Sequence, residues 1–217
     1  MERFFQFNNF NTWYDWDLVL EEKAISLPEP KTHTVELDGR SGSLDLTESL
    51  TGEVVYKDRT ISASFWTCEG NRKHRDDVYK KIVSALHGKK IKIIEPDDPD
   101  HYFYGRVKIK NASNTIPYMK FDLEATCEPW RYALEESVRS VDVNGEVIGV
   151  VMRNEGVKTL SPVVTVTGSI AISYGEDSVA LTDGSYKITG LKLKQGANVA
   201  YVSGTGSVTF TYREAGL

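Results

Sequence analysis

The stretch that most limits what this chain can fold into is residues 118–127. Met119, Phe121, Leu123, Ala125 and Cys127 lie at every second position, with Lys120, Asp122 and Glu124 between them. Only a strand sends successive side chains to opposite faces, so this period of two demands a sheet with one buried and one wetted face. Ile61, Ala63 and Phe65 alternate with Ser62 and Ser64 in the same way. Residues 89–95 and 101–110 predict a further pair, because Ile91 and Ile93, then Val107 and Ile109, alternate with polar positions. Between them, Pro96-Asp97-Asp98-Pro99-Asp100 is turn chemistry.

One segment breaks the strand pattern. Val78, Ile82, Val83 and Leu86 fall at i, i+4, i+5 and i+8, the apolar stripe of a helix near 73–87. Asn71 is the expected N-cap and Gly88 the glycine just past the end, with Lys89 and Lys90 beyond the negative end of the helix dipole. His87 is expected there in its charged form.

Charge density divides the chain. Residues 1–130 carry 40 charged side chains, residues 131–217 only 17, and all four histidines lie in the first part. The sequence therefore predicts two domains, 1–130 and 131–217, joined at Pro129-Trp130. The second is rich in Gly, Ser, Thr and Val and predicts short strands punctuated by turns, the pattern of a β-sandwich. Asn144-Gly145, flanked by Val141-Asp142-Val143 and Glu146-Val147-Ile148, predicts a type I′ hairpin. Later strands are expected at 163–167, 170–174, 178–181, 186–193, 198–203 and 207–213. Gly168, Asp183-Gly184, Gly196 and Gly204 to Gly206 are the expected turns.

Composition narrows the function classes. A net charge of −5 argues against electrostatic binding to nucleic acid or to an anionic membrane. No apolar run approaches the roughly 20 residues that span a bilayer. Met1-Glu2-Arg3-Phe4-Phe5 lacks the apolar core of a signal peptide, so synthesis in the cytosol without export by that route is expected. Cys68 and Cys127 have no metal or redox spacing and are read as free, small, buried hydrophobes rather than a disulfide.

Motifs for chemistry are missing. Asp97, Asp98 and Asp100 lack the spacing of a calcium loop and read as a solvated hairpin. The histidines form no HxH or HExxH pattern. Gly39-Arg40-Ser41-Gly42-Ser43 lacks the Lys-Ser/Thr of a phosphate-binding loop. No catalytic residue, metal site or cofactor is predicted, and the chain reads as a non-enzyme. Tyr174, Tyr186, Tyr201 and Tyr212 are candidate contacts for a carbohydrate or a protein partner, since aromatic faces serve both.

Residues 22–60 ask for an assembly explanation. Val35, Leu37, Leu44, Leu46 and Leu50 are sparse but regular in an otherwise polar run. That is too polar for a core and too patterned for a loose loop. It predicts an extended arm or hairpin laid on a neighbouring subunit, with ordinary edge strands as the alternative. Val35, Leu37, Arg40, Leu44, Leu46 and Arg59 are the candidate interface residues, the two arginines setting register through acidic partners.

The order of several segments resembles phage distal tail proteins. The N-terminal likeness runs through Leu27-Pro28-Glu29-Pro30-Lys31-Thr32 and Val35-Glu36-Leu37-Asp38-Gly39-Arg40-Ser41-Gly42-Ser43-Leu44-Asp45-Leu46-Thr47. It continues through Gly52, Tyr56, Arg59-Thr60-Ile61, Leu86-His87-Gly88-Lys89, Tyr102, Tyr104, Gly105-Arg106 and Cys127-Glu128-Pro129. Leu193-Lys194-Gln195-Gly196-Ala197-Asn198 and Ser203-Gly204-Thr205-Gly206-Ser207-Val208 look like the end of these proteins.

The resemblance implies a mainly β chain. Its N-terminal domain would be split-barrel-like, with one α-helix and an extended hairpin arm, and its C-terminal domain a galectin-like β-sandwich. It further implies a homo-hexameric ring in the virion, assembled in the host cytoplasm, that joins the tail tube protein to a baseplate or tail-tip protein. The sandwich would dock a receptor-binding or tail-fibre protein. A carbohydrate-binding module built on the sandwich is the alternative. A flavin enzyme on a split barrel is a third idea, without a phosphate loop to support it.

Overall fold

A computed structural model describes residues 4–217; Met1, Glu2 and Arg3, part of the N-terminus read above for a signal peptide, lie outside the described residues. The chain is mainly β and separates into two compact units, Met1–Trp130 and Arg131–Leu217.

The first unit runs β1 (Gln6–Phe7), β2 (Phe10–Asn11), β3 (Val19–Ile25), β4 (Thr34–Val35), β5 (Leu44–Asp45), β6 (Arg59–Thr67), α1 (Arg72–Leu86), β7 (Lys90–Glu95), β8 (Asp98–Asn114) and β9 (Met119–Cys127). Seven of these strands form one antiparallel sheet in the order β2-β1-β7-β8-β9-β6-β3. The period-two stretch is β9, and all five of its apolar residues are buried. Opposite them β6 presents Ile61, Ala63 and Phe65, with Phe65 across from Phe121 and the two rings 5.7 Å apart. Cross-strand pairs of this kind are the unit of sheet stability. The sheet is curled: Lys23 on β3 pairs with Glu95 and Asp97 at the far β7–β8 turn, and the Phe5 ring meets Phe65 edge-on.

Helix α1 covers the core with the expected stripe. Ile82 and Leu86 are buried, and Val78 and Val83 pack beside them. Asn71 caps it, its side-chain oxygen accepting from the His74 N–H at 2.9 Å. Arg75 is buried within the helix, a feature the stripe hides. Its guanidinium donates to the Gly70 carbonyl and to Asn114 Oδ1, tying the helix start to the end of β8. His87 follows the helix as its C-cap residue, and its Nδ1 accepts the Ile109 N–H at 3.2 Å, which ties the helix end to β8.

The β7–β8 hairpin is tighter than the sequence suggests. Glu95 pairs with Asp98 around Pro96-Asp97 alone, and Asp98, Pro99 and Asp100 already belong to β8. Cys68 is a second correction. It follows the last residue of β6 and is exposed, while Cys127 is buried; both are free thiols. β6 buries its odd-numbered residues from Arg59 to Thr67, so Cys68 falls on the outward phase of the same alternation.

The second unit contains β10 (Arg131–Ala133), β11 (Ser137–Asn144), β12 (Ile148–Asn154), β13 (Val163–Tyr174), β14 (Asp177–Leu181), β15 (Gly184–Lys187), β16 (Gly196–Tyr212) and β17 (Ala215–Gly216). β10 pairs with β17, and the other six form one antiparallel sheet.

Asn144-Gly145 is not a hairpin turn. β11 and β12 run one after the other along the same partner, β16: Asn144 lies opposite Thr205, and Ile148 opposite Val202. Gly145 to Val147 therefore face only Ser203 and Gly204, which is a one-residue bulge. Gly145 takes φ +81° and donates to the Gly204 carbonyl at 2.7 Å. A glycine at positive φ serves a bulge as well as a hairpin turn, and the flanking alternation is the same in both.

Gly168, Gly204 and Gly206 also mark bends within strands, whereas Asp183-Gly184 and Gly196 stand at the boundaries between elements, as expected. The stretches expected as separate strands at 163–167 and 170–174 are one strand, β13, as are 198–203 and 207–213 in β16. Gly168 stands directly across from Gly206 in their shared ladder. A Cβ on Gly168, Gly204 or Gly206 would lie within 2.3 Å of a neighbouring carbonyl oxygen, so these positions allow a close backbone approach that other residues forbid. Val164, Val166, Val208 and Phe210 on one side of this crease and Ile170, Ile172, Ala200 and Val202 on the other join a single core. The sheet thus doubles over on its own inner face. The expected strand 186–193 ends at Lys187. Beyond it, Leu191 and Leu193 are buried as irregular backbone, held by a bridge between Leu160 and Leu193.

Candidate functional site

The arm emerges between two sheet strands and is shorter than residues 22–60. Glu22 to Ile25 belong to β3, paired with Ser64 to Ile61, and Arg59 and Thr60 belong to β6. What remains, residues 26–58, is a long, mostly exposed hairpin. The Ser26 N–H donates to Thr60, the Lys57 N–H to Glu29, and the Lys31 N–H to Val55, at 2.7–3.0 Å. The Leu46 N–H then bonds the His33 carbonyl, and β4 pairs with β5 so that Val35 faces Leu44. The strands meet across a tip at residues 36–43, and residues 48–53 bulge out on the return.

Polar side chains hold this ribbon. Lys57 Nζ lies 2.9 Å from a Glu29 carboxylate oxygen, and its hydrogen bond and charge keep Glu29 below the ordinary carboxylate range. Thr47 is the second staple. It donates its hydroxyl and N–H to Asp45, holding that carboxyl low too, and its Oγ1 accepts the His33 N–H. Apolar cover is missing. Leu27, Leu37 and Leu50 are 79%, 46% and 93% exposed.

Of the candidate interface residues, the arm brings five together. Val35, Leu44 and Leu46 are half-buried along the ribbon, while Leu37 and Arg40 are exposed at the tip. Arg59 is placed elsewhere. It lies in β6, 3% exposed, with its guanidinium 5.1 Å from the centre of the Phe103 ring. Its neighbours in sequence are arm residues, but the β6 alternation directs Arg59 inward with Ile61 and Ala63.

The tyrosines do not converge. Tyr201 is 56% exposed on the outer face of the second unit's sheet. Tyr174 neighbours Ser173, which pairs with Tyr201, so Tyr174 points to the opposite face. Its hydroxyl donates to the Lys192 carbonyl at 2.7 Å and contacts Asn198 Oδ1, and burial raises its pKa. The Tyr186 hydroxyl donates to the Thr182 and Asp183 carbonyls. Tyr212 is 4% exposed and bonds the Arg153 carbonyl. Among the described residues, no group of three His, Cys, Asp or Glu side chains is placed to hold a metal ion.

One surface escaped the sequence reading. Phe10 and Trp16 stack at 5.2 Å and face Lys80, Lys81, Ser84, Ala85 and Lys89 across a groove of about 560 Å³. The available signal was the polar side of α1, where Ala85 interrupts a lysine-rich face.

No family model matches the sequence, and no curated protein matches it. The fold is similar to a solved structure described as "Crystal Structure of SPP1 Dit (gp 19.1) Protein, a Paradigm of Hub Adsorption Apparatus in Gram-positive Infecting Phages". The likeness covers 99% of each chain with a TM-score of 0.72 at 15% sequence identity. At that identity the likeness is one of fold.

Proposed function

We propose that this chain is a structural, non-catalytic subunit of the tail tip of a long-tailed phage or prophage. Six copies close a ring that joins the tail tube protein to the tail-associated baseplate or tip protein. The observation that carries this reading is the end-to-end likeness of fold to a protein described as part of a hub adsorption apparatus. Because one fold can host many functions, independent support matters, and the arm supplies it. A ring of identical subunits needs head-to-tail contacts that close on themselves. A hairpin that carries Leu27, Leu37 and Leu50 into water is suited to such a contact. On this reading the first unit builds the ring, and the second docks a receptor-binding or tail-fibre protein. The protein resides in the virion after assembly in the host cytoplasm.

Light scattering and negative-stain microscopy test the reading directly. Rings are expected from the purified chain, alone or beside its tail tube partner. Replacing residues 28–57 by a short glycine linker should leave β3 and β6 paired and abolish the rings. A strict monomer at high concentration, even with the tail tube protein present, would refute the ring. Rings formed without the arm would refute the arm's role.

A further inference from the structure

The groove beside α1 combines an apolar centre with a cationic rim. Phe10, 41% exposed on buried Trp16, forms one wall, and Ala85 lies opposite. Lys80, Lys81 and Lys89 surround them. Lys80 meets Asp77 only at 3.3 Å with both side chains largely in solvent, a contact worth little. The Lys89 ammonium donates to the Ser84 carbonyl at 2.6 Å, and among the described residues it forms no ion pair with a carboxylate. Helix α1 holds Arg72, Lys73, Arg75, Lys80 and Lys81 against Asp76 and Asp77. In a chain of net charge −5 this is a local reversal of sign.

The arm has the complementary character. From Glu36 to Glu53 it holds Glu36, Asp38, Asp45, Glu48 and Glu53 against a single cation, Arg40. At its tip, Leu37 stands between two exposed carboxylates, Glu36 and Asp38. A leucine flanked by acids matches an aromatic groove rimmed by lysines in both polarity and sign. Within one chain the arm leaves Leu37 46% exposed, so a copy does not fill its own groove in this way.

We infer that the α1 groove receives the arm tip of a second copy, with Leu37 against Phe10 and Ala85 and with Glu36 and Asp38 among Lys80, Lys81 and Lys89. The inference rests on the proposed ring and names its donor and acceptor surfaces. The apolar contact supplies affinity, while the charges set register and the acidic remainder of the chain repels the acidic arm tip from other surfaces.

Charge reversal tests it. Lys80→Glu with Lys81→Glu should weaken ring association at least tenfold in sedimentation experiments, and Glu36→Lys with Asp38→Lys should do the same. All four changes in one chain should restore assembly. A cross-link provides a second readout that is independent of these variants' folding. Copies carrying Leu37→Cys, mixed with copies carrying Ala85→Cys, both with Cys68→Ser, should form disulfide-linked pairs on mild oxidation. Normal rings from the lysine reversal, or no linked pairs from wild-type-like rings, would overturn the groove assignment and leave the ring standing. A wild-type chain that never assembles would overturn both.

Discussion

Gly206→Ala tests whether the second unit is one sheet doubled over a glycine crease. At Gly206 φ is +138°, and a Cβ would sit 2.0 Å from the Thr167 carbonyl oxygen. Both partners are backbone, so neither can swing aside. A backbone conformation essentially confined to glycine costs about 1–3 kcal/mol, and overpacking adds about 1–3 kcal/mol. A destabilisation of about 4 kcal/mol in an 87-residue unit should lower its Tm by about 15 °C or more. The assay can separate the two units, because Trp13, Trp16, Trp66 and Trp130 all lie in Met1–Trp130. Tryptophan fluorescence should therefore report an unchanged first unit while far-UV circular dichroism shows the second melting early. Gly196→Ala is the control. Its φ is +97°, but nothing lies within 4 Å of a Cβ, so it incurs backbone strain without the clash. A circular dichroism transition of Gly206→Ala within about 1 kcal/mol of wild type would refute the close backbone crossing at the crease.

Three further outcomes are expected. Burial pushes the Cys127 thiol up to about 12, only partly opposed by Arg59, while Cys68 is exposed; a thiol reagent at pH 8 should titrate one group in the native chain and two after unfolding, and two fast native thiols would contradict this placement. Asp122 is held below its ordinary 3.8 by hydrogen bonds from Asn111 and Ser64. Its folded pKa lies below its unfolded one, so the stability it contributes is present above 3.8 and lost as pH falls through the folded value. Stability curves of Asp122→Asn and wild type should separate at neutral pH and converge in acid, and parallel curves would count against the assignment. Gly105→Ala would place a Cβ 2.3 Å from Cys127 Sγ and 2.7 Å from the Thr126 carbonyl. It should cost about 2 kcal/mol, part of which Cys127→Ala recovers by removing the sulfur; equal stability of the single and double variants would show that sulfur is not the obstacle.

Strands with one buried face were legible because period two is a property of the residues themselves. Hence β9 and β6 could be read with the correct inward set, and so could the stripe of α1 with its Asn71 cap. Connectivity was less legible. Asn144-Gly145 and the glycines at 168, 204 and 206 read as places where the chain turns back, yet the chain runs on through each of them. Positive φ is a local requirement, and a local requirement does not say whether the next strand pairs with the last one or with a distant partner. Arg59 and Cys68 show the same limit at strand ends. β6 buries its odd-numbered positions, which takes Arg59 inward although it borders the arm and leaves Cys68 outward although a free cysteine is usually buried. The Phe10–Trp16 wall and the lysines of α1 lie far apart in sequence, so only the fold assembles that groove.

The arm's energetics bear on why assembly and ordering would go together. β4 and β5 contribute only two residues each, and an isolated two-stranded hairpin is at best marginally stable in water. The staples from Thr47 and Lys57 are exposed and worth little individually. The larger reserve is unspent apolar surface. Fully covering a leucine contributes about 1.5–3 kcal/mol, and Leu27, Leu37 and Leu50 are all still open to water. In a closed ring each copy donates one arm and receives one, so this gain recurs at every interface with no arm left over. An open chain of copies would leave one arm and one acceptor surface exposed at its ends. The same leucines that are a liability in the monomer would therefore favour closure.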